Sequence, residues 1–408
     1  MNILYNAAIS LYATVAKALA PRNPKARKMI EGQRQTMVTL EQKRGDGEWV
    51  WIHASSLGEF EQGRPLIERL RSERPELKIL LTFFSPSGYE VRKDYAKADV
   101  VCYLPFDKPR AVERFLDLAR PSVAIFVKYE FWGNYLESLR RRGIPTYIIS
   151  AIFRPGQVFF RPWGGMFRNM LRCFTHIFVQ DCASRELLGG IGVESVTVAG
   201  DTRFDRVADI LRGSKPFPIV ENFAASAAVT LIMGSSWQPD EDIVIPYFNS
   251  HPGLKLIIAP HEFDAGRLEA LCARIGRKVG LYSETNEQNA SQLDCLIIDR
   301  FGILSSCYRY ASIAYVGGGF GAGIHNVNEA AVYGIPVIFG PRHTKFREAA
   351  GLKECGGGFA IGSKEEFNAI ADRLTTDPGF LATSGKAAGE YIQSQLGATE
   401  CVYSHIFR

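Results

Sequence analysis

Runs rich in Val, Ile, Phe and Tyr recur along the chain between stretches of helical periodicity. The first run is "WVWIHA", beginning at Trp49, and "KILLTFF", "VVCYLPFD", "SVAIFVKYE", "PTYIISA" and "HIFVQD" follow it. Helical patterns separate them, among others at Glu61–Arg71, Pro109–Leu118 and Asn134–Arg142. After "VTVAGDTRFDRV", polar residues and prolines fill Ser214–Ser226, which reads as a linker. The alternation restarts at "VTLIMGSSW" and runs through "LKLIIAPHEF", "CLIIDRFG", "SIAYVGGGFG" and "IPVIFGP" to a helical tail from Lys364. Strands alternating with helices predict mostly parallel sheets covered on both faces. The restart, in a chain of 408 residues, predicts two cores rather than one. The expected fold class is α/β: two Rossmann-like doubly wound domains, residues 35–213 and 227–408, joined by 214–226 and facing a cleft.

The first 34 residues depart from this pattern. Ile3–Ala20 is an apolar run interrupted by Asn6, Ser10, Thr14 and Lys17, and Arg22, Lys25, Arg27, Lys28 and Arg34 come next. The run is marginal for a membrane span, which needs about 20 apolar residues. No small-residue cleavage site follows it. Basic residues flank the cytoplasmic side of membrane segments. The segment therefore reads as an anchor helix, spanning or interfacial, with the rest of the chain in the cytoplasm. A soluble helix packed on the first domain is the alternative.

Composition adds little: 46% hydrophobic and 22% charged residues are ordinary globular values. The net charge of +5 permits anionic partners without naming one. Eight cysteines, with no C-x-x-C pair and no Cys/His cluster at zinc spacing, point to a reducing compartment and away from a structural metal.

Three stretches carry candidate chemistry. Ser56-Leu57-Gly58-Glu59 stands where the first strand turns into a helix. It fits a capping box, with Glu59 reaching back to the cap N–H. Ligands in open α/β sheets bind beyond the carboxyl ends of strands, so Glu59 is equally placed to be a general base. Second, Gly317, Gly318, Gly319, Gly321 and Gly323 lie between a strand and a helix start bearing His325, Asn326, Asn328 and Glu329. Such a loop suits a phosphate. It is a loose dinucleotide match, because Glu329 is too near to be the ribose acid expected about 20 residues on, and Asn326 with Glu329 also fits a plain cap. Third, 151–180 holds no acid, while Arg154, Arg161, Arg168 and Arg172 alternate with Phe153, Phe159, Phe160, Trp163, Phe167 and Phe174. Either a core stripe beside a solvated basic face or a surface for acceptor lipid and anionic head groups gives this pattern.

Ordered blocks over nearly the whole length resemble the 3-deoxy-D-manno-octulosonic acid (Kdo) transferases of lipid A biosynthesis. They include "HASSLGEFEQGRPLIERL", "LTFFSPSGYE", "YLPFDKPRAVERFLDLARP", "FVKYEFWGNYL", "AGDTRFD", "GSSWQPDED", "APHEFDAGRL", "DRFGILSSCY" and "YVGGGFGAGIHNVNEAAVYGIPVIFGP". The resemblance implies a glycosyltransferase-B fold and inverting transfer of Kdo from CMP-Kdo to a lipid A precursor, at the cytoplasmic face of the inner membrane. It implies no cofactor, no bound metal and no nucleic-acid partner. Glu59 falls at the family's general base, and Lys128, Glu130 and Arg203 fall in motifs beside the reacting groups. CMP is expected at Ser235 and Ser236, Pro260 and His261, Phe301, Gly302 and Ile303, Gly319 and Gly323, and His325, Asn326, Val327, Asn328 and Glu329. Three positions depart from the family pattern. Lys128 replaces the first acid of Glu-x-Glu-Leu-Trp, Pro260-His261-Glu262 stands for Pro-Arg-His, and Glu329-Ala330 for Glu-Pro. Arg203 stands where the family has Lys, a cation of different hydrogen-bonding geometry. Two other classes stay open: a two-domain glycosyltransferase or epimerase using a UDP-sugar, and a catalytically silent nucleotide-binding protein at the membrane.

Overall fold

The computed structural model describes residues 3–408, so Met1 and Asn2 of the expected anchor segment lie outside the described residues. The chain forms two compact units, the first reaching to Arg206 and completed by Gly397–Arg408, the second Val207–Leu396.

Unit 1 is built on β1 (Trp49–His53), β2 (Lys78–Phe83), β3 (Val100–Tyr103), β4 (Val123–Val127), β5 (Thr146–Ala151), β6 (His176–Val179) and β7 (Val196–Val198). These form one seven-stranded parallel sheet in the order β3-β2-β1-β4-β5-β6-β7. Every residue of β1 is buried, as its unbroken apolar run requires of a strand covered on both faces. Successive side chains leave opposite faces. Trp49 and Trp51 pack with Phe115, Phe126 and Tyr135, whereas Val50 and Ile52 pack with Phe60, Leu66 and Phe83.

Unit 2 repeats the design with β8 (Val229–Ser236), β9 (Leu254–Pro260), β10 (Val279–Leu281), β11 (Cys295–Ile297), β12 (Ile313–Val316), β13 (Val337–Phe339) and β14 (Gly358–Ala360). Its sheet is again parallel, in the order β10-β11-β9-β8-β12-β13-β14. The expected α/β class with two doubly wound sheets is what the chain adopts.

The unit boundaries differ from the expected ones. Much of the linker region 214–226 is a helix, Pro218–Ala224, whose Val220 and Phe223 are fully buried. Proline there starts a helix at its first turn, where no N–H is needed, instead of marking a loose connection. The last helix, Ala398–Phe407, does not belong with unit 2. Val402 and Tyr403 enter the unit 1 core. The Asp205 carboxylate accepts the N–H groups of Gly397 and Thr399 at its start (2.7 and 2.6 Å), and the Arg69 guanidinium lies 4.4 Å from the Tyr403 ring centre.

The apolar N-terminal run is a helix, Ile3–Leu19, followed by Pro24–Lys43 after a bend of 116°. No single helix among the described residues is long and apolar enough to cross a membrane. Its small residues Ala13 and Ala16 are buried with Met29, Ile30, Phe84, Tyr103 and Phe106. Of its large ones, Ile3, Leu4, Leu11, Val15 and Leu19 are exposed, and Tyr12, also exposed, lays its ring against Phe84 and Phe106. One end is latched by hydrogen bonds. The Tyr5 hydroxyl donates to Asp107 and accepts the Gly133 N–H (2.9 Å), and Asn134 Nδ2 donates to Asn6 Oδ1 (2.8 Å). Asp107 in turn accepts the N–H groups of Asn134 and Tyr135 (2.9 and 3.0 Å). A remote carboxylate thus caps the helix Gly133–Arg141, which has no side-chain cap of its own.

Tyr5→Phe removes a donor to Asp107 and the acceptor of the Gly133 N–H. We expect a loss of about 1–3 kcal/mol in urea unfolding, the penalty of a buried polar group left unpaired. An unchanged midpoint would mean that the helix rests on unit 1 without being latched to it.

Candidate functional site

In unit 1 the strand order reverses at β1, which pairs with β2 on one side and β4 on the other. Loops leaving the carboxyl ends of β1 and β4 diverge there, the usual place for a ligand in an open α/β sheet. Ala54–Ser56 leads from β1 into the helix Leu57–Glu73, and Lys128–Trp132 leads from β4.

Glu59 lies in the first turn of that helix, and the capping box is formed. Its Oε2 accepts the N–H groups of Ser55 and Ser56 (2.6 and 3.3 Å), and its own N–H donates to Ser56 Oγ (3.4 Å). Capping carboxylates on an open surface are ordinary acids, but Glu59 is half-buried. Burial, and next the neighbouring Glu130 charge, push its carboxyl up to about 7, against the opposing pull of the Ser55 N–H and Lys128. A capping role and a titration point near neutrality coexist in one side chain, and the second is what a general base needs.

Glu130 is buried and heavily bonded. Its Oε2 accepts from Trp132 Nε1 and lies 3.1 Å from His53 Nε2. His53, the last residue of β1, is wholly buried, with Nδ1 2.8 Å from Thr82 Oγ1 of β2. Lys128 sits at φ +67, the left-handed region that a side chain with a Cβ rarely takes. Such strain clusters at functional sites. Its N–H donates to the Ile149 carbonyl (2.9 Å), and its Nζ lies 5.5 Å from the Tyr129 ring centre.

Arg203 is not an open cation. Its Nε and Nη2 donate to Asp201 Oδ2 (2.9 and 2.7 Å), and its N–H to Oδ1 (3.0 Å). Asp201 also accepts both bonds of the Gln62 amide (3.2 and 3.3 Å). Although burial opposes it, the Arg203 charge holds the Asp201 carboxyl below its ordinary range. The structure spends the guanidinium on this buried partner, which the sequence pattern did not foretell.

Unit 2 has its reversal at β8, between β9 and β12. Gly-Ser-Ser ends β8 with Trp237 directly after it, and the Gly-rich loop follows β12, so the fold brings the two candidate donor motifs together. Asp240 ties them. Buried, it accepts the N–H groups of Trp237 and Gly318 (2.9 and 3.0 Å) and the Tyr315 hydroxyl (2.9 Å). Ser235 is in the left-handed region at φ +53. Ser236 is not directed to a ligand, since its hydroxyl donates to the buried Glu241 (2.9 Å), which Arg267 and Arg274 also hold.

Trp237, His261 and His325 form an aromatic group at this end of the sheet. The Trp237 and His261 ring centres are 4.5 Å apart and nearly parallel, His261 and His325 are 4.7 Å apart, and Trp237 Nε1 donates to His325 Nε2 (3.3 Å). Burial, with His261 nearby, pushes the His325 imidazole below its ordinary value. Trp237 was missed as a site residue. Its signal was present, an aromatic directly after a strand that ends in Gly-Ser-Ser. Pro260 closes β9 and is buried, so the contribution of Pro260-His261 is the imidazole. Phe301 is exposed against Phe263, Gly302 turns the chain at φ +83, and Ile303 is buried.

The Gly-rich loop differs from the expected phosphate cradle in one respect. A Cβ on Gly319 would lie 2.5 Å from Gly340 Cα, so that glycine serves the approach of two chain segments. Gly318 and Gly323 take positive φ. The expected helix start is a single turn, Asn328–Ala331, so little dipole is available. Asn326 caps a turn instead, accepting the Asn328 N–H (3.2 Å) and donating to Glu329 (3.1 Å). Val327 is buried in the core, and the buried Asn328 amide has no partner on either atom among the described residues.

The acid-free stretch divides. Phe153, Phe159 and Phe174 are buried core residues. Arg168 is committed to its own loop, donating to the carbonyls of Phe159 and Arg161 (3.2 and 2.9 Å). Arg154, Arg161, Arg172 and Trp163 are exposed. Among the described residues, no group of three or more His, Cys, Asp or Glu is placed to hold a metal ion.

Residues 27–206 match the family model described as 3-deoxy-D-manno-octulosonic-acid transferase (kdotransferase). Among curated proteins, the 3-deoxy-D-manno-octulosonic acid transferase of Aquifex aeolicus (strain VF5) is 28% identical over 326 residues, 78% of this chain and 83% of that protein. The enzyme of the same name from Bordetella pertussis is 27% identical over 373 residues, covering 86% and 85%. Among solved structures, UDP-GlcNAc 2-epimerase from Neisseria meningitidis bound to UDP-GlcNAc superposes with a TM-score of 0.59 at 15% identity, covering 87% of this chain and 98% of that one. That likeness is one of fold alone, the glycosyltransferase-B class.

Glu59 has a signature in stability. Its folded carboxyl keeps a proton up to about pH 7, against 4.5 for an ordinary glutamate. Between those values the native chain binds the extra proton. The stability it contributes is full below the lower value and lost as pH rises through the upper one. Glu59→Gln abolishes that loss. In urea unfolding the variant should gain on the parent progressively from about pH 5 to about pH 8. A difference that does not change with pH would identify Glu59 as an ordinary capping carboxylate.

Proposed function

We propose that the chain acts as the 3-deoxy-D-manno-octulosonic acid (Kdo) transferases it matches do, moving Kdo from CMP-Kdo to a lipid A precursor with Glu59 as general base. The observation that carries the base assignment is a half-buried carboxyl poised near neutrality at the switch point of unit 1. An acceptor sugar hydroxyl attacks the anomeric carbon of Kdo, Glu59 takes the hydroxyl proton, and CMP departs. A single displacement of this kind inverts the anomeric centre. Lys128, whose charge acts on Glu59, supplies positive charge for an anionic group of a substrate. Arg203, already paired with Asp201, acts as a dipolar donor more than as a free charge.

Donor binding falls to unit 2. The exposed faces of Trp237 and His261 suit stacking of a base. Loop N–H groups near Gly318–Gly323 suit a phosphate, and the unpaired Asn328 amide offers a polar group at the same turn. A UDP-sugar transferase or epimerase has the same fold, so turnover of CMP-Kdo against UDP-sugars separates the two readings.

We further propose that the protein works at the cytoplasmic face of the inner membrane. The helix Ile3–Leu19 would lie in the interfacial plane, docked on unit 1 by its alanines and presenting Leu4, Leu11, Val15 and Leu19 to lipid. Lys17, Arg22 and Lys25 beside it suit anionic head groups. Exposed Trp163 and Arg161 supply a second contact of the same chemistry.

Two outcomes are expected. Glu59→Gln should retain CMP binding by calorimetry and lose roughly 100-fold or more in transfer to a tetra-acyl lipid A precursor, followed by mass spectrometry. Near-parental transfer would remove Glu59 from the chemistry. The double variant Leu11→Glu, Val15→Glu alters only exposed positions, so it should fold normally yet lose flotation with anionic liposomes. Undiminished flotation would defeat the interfacial assignment.

A further inference from the structure

The docked face of the helix Ile3–Leu19 meets the loops around Glu59. Tyr5 and Tyr12 stand about two helical turns apart and so share a face. The Tyr5 hydroxyl bonds to Asp107, in the loop after β3, and to the Gly133 N–H, where the loop after β4 ends. The Tyr12 ring stacks on Phe84, in the loop after β2, with ring centres 6.2 Å apart, and meets Phe106 edge-on at 5.7 Å. The helix therefore crosses the carboxyl ends of β2, β3 and β4. In the sheet, β1 lies between β2 and β4.

Phe84 is the junction. It is buried, and it touches both sides of the gap at the end of β1. On one side, its N–H and that of Ser85 donate to the Ser55 carbonyl (3.3 and 2.7 Å). Ser55 is the residue whose own N–H holds Glu59 Oε2 at 2.6 Å. On the other side, the Phe84 ring packs against Trp132, 4.7 Å between centres. Trp132 Nε1 donates to Glu130, and Trp132 directly precedes the Gly133 that Tyr5 holds.

We infer that Tyr12 is a positioning residue: by covering Phe84 it fixes the Ser55 peptide that aims Glu59, while Tyr5 fixes the loop that carries Trp132. The inference rests on the reading of Glu59 as general base. Loops that diverge at a switch point leave the sheet end open, and loops open more readily than the strands beneath them. An element from outside the sheet is needed to hold them, and here it is the N-terminal helix. A tilt of the Ser55 peptide moves the Glu59 carboxylate relative to an acceptor hydroxyl. Misplacement by about 1 Å is enough to cost on the order of 100-fold in rate. The helix is thus a support of the reaction site on one face and a lipid contact on the other, and Tyr12 itself makes no bond to substrate.

The test compares Tyr12→Leu, which removes the ring, with Tyr12→Phe, which keeps it. Tyr12 lies at the surface, so both variants should fold, as circular dichroism would verify. Transfer from CMP-Kdo is measured with a tetra-acyl lipid A precursor dispersed in detergent, where attachment to a bilayer plays no part. Hydrogen exchange is followed by NMR at the Ser55 amide, with the Ile125 amide of β4 as reference. Tyr12→Leu should lose roughly tenfold or more in kcat with KM for CMP-Kdo unchanged. Its Ser55 amide should exchange faster by on the order of tenfold, with Ile125 unmoved. Tyr12→Phe should match the parent in both readouts. Unchanged Ser55 exchange in Tyr12→Leu, equal acceleration at Ser55 and Ile125, or a Tyr12→Phe protein as impaired as Tyr12→Leu overturns the inference. So does a parental kcat in Tyr12→Leu when Glu59→Gln is inactive. Should Glu59→Gln prove active, the base assignment fails, and Ser55 exchange alone decides whether the helix holds this loop.

Discussion

Reversal of strand order beside one central strand governs each half of this protein. Parallel strands need a crossover after each edge, and where crossovers leave in opposite directions the two following loops cannot cover the sheet end. In unit 1 that gap opens between β1 and β4, in unit 2 between β8 and β12. Both halves place strained residues and buried charges at that gap. Lys128 and Ser235, two of the few non-glycine residues at positive φ, stand at the ends of strands flanking it. Backbone bent this sharply is tolerated because the strands beneath are fixed on both sides by neighbours and on both faces by apolar side chains.

Burial of carboxylates is the second theme, and the protein treats each one differently. Asp201 receives a full guanidinium and an amide, and is held ionised. Asp240 receives two backbone N–H groups and a hydroxyl, and serves as the knot between two loops. Glu59 receives backbone N–H groups, but these fall short of its desolvation and of the charge next to it. The same chemical group is structural or reactive according to how completely its lost hydration is replaced.

Much of this was legible in the residues. Apolar runs such as "WVWIH" and "LKLIIAP" became fully buried strands because nothing but a two-sided core accommodates them. Glu59 was legible as a cap from spacing alone, whereas the charges of Lys128 and Glu130 that act on it come from the loop after β4, which spacing does not encode. The commitment of Arg203 to Asp201, of Arg168 to its own loop carbonyls and of Ser236 to Glu241 was equally hidden. A charged or hydroxyl residue in a motif shows what it can bind, and only the fold shows what it has already bound. The N-terminal helix divided both readings offered for it, since Ala13, Ala16 and Tyr5 pack on unit 1 while Ile3, Leu4, Leu11, Val15 and Leu19 are exposed.

The return of Gly397–Arg408 to unit 1 bears on how the chain is made. Synthesis runs from the N-terminus, and domains generally fold as units while it proceeds. Unit 2 lies wholly between the two pieces of unit 1, so it is on hand to fold before unit 1 has all its parts. Until Val402 and Tyr403 emerge, the apolar side chains they cover, Phe60 and Leu70 among their cluster, face water or a chaperone. The half that carries Glu59 is thus finished last, and a nascent or prematurely ended chain holds that half without its closing helix.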